Sequence, residues 1–77
     1  MQKTQFELAG EFVELNQLLK LVGLCDSGGA GKNMVASGAV KVDGKAESRK
    51  TAKIRAGQTV SVADVRISVI EGVGEGG

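Results

Sequence analysis

Seventy-seven residues amount to one small domain, and a chain of this size hides only about 60% of its unfolded surface. There is no His, which excludes Ser-His and Cys-His dyads and the usual zinc site, and the single Cys excludes an internal disulfide or a CxxC pair. The net charge of +1 favours no partner by itself, so the distribution of charge has to carry that argument.

In chain order, residues 3–8 alternate weakly and predict a short strand, punctuated by Gly10. Residues 11–22 give the clearest helix. Phe12, Leu15, Leu19 and Val22 recur at three- and four-residue steps with Leu18 beside them, which makes one apolar face. Glu11 and Glu14 in the first turn and Lys20 in the last suit the helix dipole, and Gly23 supplies the left-handed residue that stops it. A weaker helix is expected from about 27 to 37, with Asp26 or Ser27 as N-cap, Gly38 as the stop, and Ala30, Met34 and Val35 facing inward. Gly28, Gly29 and Gly31 each cost that helix ~1 kcal/mol relative to Ala. Three glycines in one turn need a reason. Close packing against the first helix is the simplest one; the approach of a ligand and a later start of the helix are the others.

From Ala39 onward the pattern is β. Val40-Lys41-Val42 alternates, and Asp43-Gly44 is a strong reversal signal. A tight hairpin there would oppose Val42 to Lys45 and Val40 to Glu47, placing two charges on an apolar face. The main partner of this strand is therefore expected further on, in residues 59–62 or 66–70, with Gly57-Gln58 and Ala63-Asp64 as turns. Residues 45–55 become a largely exposed connection. Residues 1–71 form the single domain, and residues 72–77 a flexible Gly-rich tail.

Charge collects in that connection. Lys32, Lys41, Lys45, Arg49, Lys50, Lys53 and Arg55 are seven of the ten cations, and residues 32–55 hold only Asp43 and Glu47 against them. Residues 1–15 lean the other way, with Lys3 against Glu7, Glu11 and Glu14. A localised positive patch attracts phosphate backbones; the plainer alternative is a solvated face. Phe6 and Phe12 are both expected in the core, which leaves nothing to stack on splayed bases. Recognition would then rest on phosphate, 2′-hydroxyl and shape, as in structured RNA.

Two motifs fail on inspection, a phosphate loop and, in the glycines of the tail, a dinucleotide fingerprint that no strand-loop-helix unit follows. Gly28-Gly29-Ala30-Gly31-Lys32-Asn33 looks like a phosphate loop, but a Walker A motif needs Gly in place of Asp26, Ser or Thr in place of Asn33, and a strand before it. The nine carboxylates form no pair at a spacing that suits acid–base catalysis. No cofactor and no metal is expected. Residues 18–24 make the best apolar run, broken by Lys20 and Gly23 and far short of the ~18 residues of a membrane span, so a cytoplasmic protein is expected. Cys25 reads as a small buried hydrophobe.

The order of helix, Gly, Ser-initiated helix, Gly and Val-x-Val-Asp-Gly resembles the S4 RNA-binding domain with its αL motif, over about residues 14–62. Leu15, Leu18, Leu19 and Gly23 stand at the first-helix positions, Ser27, Val35 and Gly38 at the second-helix positions. Val40-Lys41-Val42-Asp43-Gly44 resembles the V-x-V-N-G turn with Asp for Asn, and Ala56-Gly57-Gln58-Thr59-Val60 the later G-D-x-I/V element. Departures occur at Glu14-Leu15-Asn16, where the family has Arg-Leu-Asp, and at Gly28 and Gly31, where it has Arg and Ala.

The resemblance implies a small bacterial S4-like protein. Its fold would be α+β, two packed helices followed by a small, mostly antiparallel sheet. Its partner would be structured RNA, whether ribosomal RNA, transfer RNA or a hairpin, bound without catalysis. The expected phosphate contacts are Lys32, Lys41, Lys45, Arg49, Lys50, Lys53 and Arg55, with Gly28, Gly29 and Gly31 admitting RNA backbone. The alternative is an adaptor whose basic face docks an acidic surface on a ribosome-associated or other protein.

Overall fold

Alternating valines and isoleucines build a sheet with one buried and one open face. The computed structural model describes residues 2–72. Its strands are β1 (Gln2–Leu8), β2 (Val13–Glu14), β3 (Val40–Val42), β4 (Lys45–Ala46), β5 (Lys53–Ile54), β6 (Thr59–Val62) and β7 (Val65–Glu71). Its helices are α1 (Leu15–Leu21) and α2 (Gly28–Ala36). Five strands form a sheet in the order β1-β7-β6-β3-β4, antiparallel except for the parallel β1–β7 pair, while β2 and β5 pair separately. This is the expected α+β arrangement of two helices and a mostly antiparallel sheet.

Register puts Val42, Val60 and Ile67 in one cross-strand row and Val40, Val62 and Val65 in the next. Leu15, Leu18 and Leu19 of α1 and Val35 of α2 join Val40, Val60 and Ile67 in the core, all fully buried. Each such side chain contributes about 1.5–3 kcal/mol by leaving water.

The first helix begins at Leu15 rather than residue 11. Val13 and Glu14 are drawn into a ladder with Ile54 and Lys53, and Glu14 is extended at φ −70° and ψ 142°. The amides of Leu15 and Asn16 donate to the carbonyls of Ala52 (2.8 Å) and Lys50 (3.1 Å). Tertiary pairing with the 45–55 segment thus overrides helical periodicity, and Glu11 and Glu14 lie outside the first turn. The stop at Gly23 is as expected: its φ is +86°, its amide donates to Lys20, and the Leu24 amide donates to Leu19.

Ser27 is the N-cap of α2, its Oγ accepting from the Ala30 amide at 3.1 Å, and Gly38 ends the helix at φ +84°. The helices meet closely at Gly31. A Cβ there would sit 2.5 Å from the Asn16 carbonyl oxygen, and one on Gly28 would sit 2.9 Å from Gln17 Nε2. Close helix packing is therefore the reason for Gly31, whereas Gly28 meets side-chain ends that can swing aside.

β3 does pair with β6, and also forms the tight hairpin with β4 in the register that opposes Val42 to Lys45. Asp43 (φ +53°) and Gly44 (φ +84°) make the turn. The charge is tolerated because β4 is an edge strand and Lys45 is exposed. The 45–55 connection is less open than expected, since Ala52 and Ile54 are buried. At the other end, the Gly72 amide donates to the Leu8 carbonyl at 3.1 Å. The remainder of the expected tail, residues 73–77, lies outside the described residues. Among the described residues no helix is long and apolar enough to cross a membrane.

Candidate nucleic-acid interface

Residues 47–55 run as a strap across the start of α1. The strap is held by the two helix amides that donate to Lys50 and Ala52 and by the β2–β5 ladder. These bonds consume donors that a helix N-terminus would otherwise offer to an anion. What the strap presents instead is side-chain charge. Arg49, Lys50, Lys53 and Arg55 are all exposed along it.

Phe12 gathers two of them. Lys53 Nζ lies 5.1 Å and Arg55 Cζ 5.8 Å from its ring centroid. Phe12 is 39% exposed and lies outside the core, contrary to expectation, because the chain enters β2 before the helix can turn its ring inward. An exposed aromatic is therefore present beside the basic strap. Such cation–π contacts contribute ~0.5–1 kcal/mol each at exposed sites.

Arg49 is held by its own neighbour. Its Nε donates to Glu47 Oε2 at 3.1 Å, its Nη2 to Oε1 at 3.3 Å and its amide to Oε2 at 3.0 Å. The hydrogen bonds from Arg49 hold the Glu47 carboxyl below its ordinary pKa, and the same contact raises that of the guanidinium. Arg49, Thr51, Ala52 and Lys53 line a shallow depression of ≈ 400 Å³. Glu14, where the family pattern has Arg, stands opposite Lys53 in the ladder.

The other expected contacts are dispersed. Lys32 is exposed on α2. Lys41 and Lys45 flank the Asp43-Gly44 turn but occupy opposite faces: Lys45 opposes Val42 on the core side, while Lys41 opposes Ala46 and Ser61 on the outer side. So the seven cations do not form one face; four follow the strap. Of the three glycines, Gly31 is closed off by the backbone of α1, Gly28 faces the movable ends of the Gln17 and Asn16 side chains, and Gly29 is open. Cys25 packs against the core with its Sγ 3.8 Å from Met34 Sδ, and burial, with Asp26 second, pushes its pKa up.

Two cations escaped sequence reasoning. Lys3 and Arg66 are direct partners across β1 and β7, and Arg66 shares a row with Ser61 and Lys41. The alternation of residues 66–70 did point Arg66 outward. Nothing local announces that the first strand pairs in parallel with the last.

A helix pair capped by a basic strap and packed on a small, mostly antiparallel sheet defines an αL-type module. The model of the S4 domain family matches residues 6–70, and the chain belongs to that family. It is 53% identical over 58 residues to the protein YbcJ of Escherichia coli (strain K12), a match covering 75% of this chain and 83% of YbcJ. The solution structure of YbcJ from E. coli, described as revealing an αL motif involved in RNA binding, matches with a TM-score of 0.64 at 46% identity. That match covers 91% of this chain and 87% of the other. A tyrosine–tRNA ligase from Ralstonia nicotianae (strain ATCC BAA-1114 / GMI1000) is 41% identical over 56 residues, which is 73% of this chain but 14% of the ligase.

Proposed function

We propose that this chain binds structured RNA through the phosphate contacts of its basic strap and performs no chemistry on it. The observation that carries this reading is the placement of Arg49, Lys50, Lys53 and Arg55 along one exposed segment, with Lys53 and Arg55 gathered on Phe12. Family membership and the αL motif described for YbcJ as involved in RNA binding support it. Arginines on the strap bond two phosphate oxygens at once, and lysines act as point charges. Lys32, Lys41 and Lys45 reach phosphates outside the strap. Phe12 offers an apolar ring to an unpaired base in a bulge or loop. Ribosomal RNA, transfer RNA and hairpins all present this chemistry, and the cytoplasm is where the protein meets them.

Anisotropy of a labelled RNA hairpin across a salt series tests the reading. Wild-type affinity falls steeply with salt. The Lys53→Gln/Arg55→Gln variant binds more weakly, and its slope is shallower by roughly 0.7–0.9 for each phosphate contact removed. An unchanged slope and affinity would refute the strap as the interface. The rival reading, an adaptor for an acidic protein surface, is favoured by one feature, the 59% exposure of Leu21 at the end of α1. It requires a protein partner whose binding is lost on Leu21→Ser, with no RNA affinity at low salt.

A further inference from the structure

The outer face of the five-stranded sheet carries a second concentration of charge. Lys41, Ser61, Arg66 and Lys3 stand in one cross-strand row over β3, β6, β7 and β1. Opposed residues share a sheet face, and the neighbouring rows of valines and isoleucines point to the core, so this row points away from it. All three cations are exposed, and the residue between Arg66 and Lys41 is a serine. Three strand spacings put Lys3 about 14 Å from Lys41, the rise of about four stacked nucleotides.

Nothing in the row neutralises it. Among the described residues the one ion pair is Arg49–Glu47, far along the chain from this face. Asp43 is engaged by the Thr59 amide at 3.0 Å and Gln58 Nε2 at 3.4 Å. Glu7 is four positions along β1 from Lys3, and Asp64 in the β6–β7 turn makes no ion pair. Like charges set directly opposite one another destabilise a sheet, and Lys3 and Arg66 are such a pair. A cost of that kind, left without a compensating acid, is explained by an anionic ligand that the face receives.

The surface shape fits an extended anion. Lys41 and Arg66 line a shallow trough of ≈ 410 Å³ with Ala39, Gly44, Ser61 and Ala63, whose small side chains leave the floor open. Lys3 lines the next depression with Thr4, Gln5 and Ser68, so hydroxyl and amide groups flank the charges. No aromatic stands in the row, which leaves phosphate rather than base as the group recognised.

We propose that Lys3, Arg66 and Lys41 form a second phosphodiester-binding surface, which holds a further segment of the RNA engaged by the strap. This rests on the RNA-binding reading and deepens it: two surfaces on one small domain give bivalent binding to a folded or long RNA. A hairpin too short to reach both surfaces gains nothing from the row, whereas a longer stem-loop gains from both.

The test compares wild type with Lys3→Gln/Arg66→Gln and with the control Lys20→Gln, an exposed lysine off both surfaces, using short and long labelled hairpins over a salt series. For the long hairpin the double variant binds more weakly and its salt slope is shallower by roughly 1.4–1.8, two phosphate contacts' worth. The short hairpin and the control change little. The melting temperature of the double variant equals or exceeds wild type, since a like-charge pair is removed, so weaker binding cannot be read as unfolding. Wild-type affinity and slope retained by the double variant on the long hairpin would overturn the second surface and leave the strap standing. Failure of wild type to bind either hairpin would overturn the RNA-binding reading and this surface together.

Discussion

Gly31 and Gly29 sit two residues apart in α2, yet side chains there meet opposite fates. At Gly31 a Cβ would press on the Asn16 carbonyl at 2.5 Å, and backbone cannot swing aside as a side chain would. At Gly29 the nearest neighbour is Ser27 Oγ at 3.8 Å. Gly31→Ala gains ~1 kcal/mol of helix propensity but forces α1 and α2 apart, an overpacking cost of about 1–3 kcal/mol, so it destabilises on balance. Gly29→Ala carries the propensity gain with little penalty and stabilises by up to ~1 kcal/mol. Urea denaturation of the two variants checks the opposite signs. The sequence showed that the glycines needed a reason, but which of them touched the first helix depended on how the helices cross.

Arg49 is a residue whose availability is set by one neighbour. Glu47 competes with phosphate for the same guanidinium. Glu47→Gln is expected to raise affinity for an RNA hairpin a few-fold, read by anisotropy at low salt, since surface ion pairs of this kind are weak. Acidification acts with the same sign. The carboxyl has a pKa below its ordinary value, so the contact is fully present above the ordinary carboxylate range and is lost as pH falls through the depressed value. The Arg49 Nε–H resonance is expected to move over that acidic range and to stay fixed above it.

At the level of elements, what was legible was whatever local chemistry decides. Both helix stops are glycines at positive φ, the Ser27 cap is a local hydrogen bond, and Asp43-Gly44 makes its turn. What was not legible depended on distant pairing. The first helix lost its four leading expected residues, two of them to the ladder with β5, and Phe12 left the core with them. That one displacement changed the candidate site most, because it put an aromatic ring under Lys53 and Arg55. The β6–β7 turn shows a local strain of its own: Ala63 lies at φ +51°, where Gly belongs. Replacing it by Gly removes a left-handed penalty of about 1–2 kcal/mol against an entropic cost of about 0.5–1 kcal/mol. Ala63→Gly should therefore raise stability by about 0.5–1 kcal/mol in thermal melts.

For the whole molecule, a net charge of +1 conceals how unevenly charge is placed. The strap concentrates cations beside the start of α1, and register assembles Lys3, Arg66 and Lys41 from three separate strands. Sequence windows found the first concentration because it is contiguous in the chain. They missed the second because its members are brought together by the order of strands in the sheet. A single core of apolar residues from α1, α2 and the sheet carries both surfaces, so charge substitutions on either should leave the fold intact.

The most direct measurement is an amide NMR titration of the labelled protein with a structured RNA hairpin at two salt concentrations. Shifts centred on Phe12 and residues 49–55, shrinking as salt rises, are the predicted result. Absence of shifts at low salt with both a duplex and a bulged hairpin, or salt-insensitive shifts centred on Leu21, would contradict RNA binding through the strap.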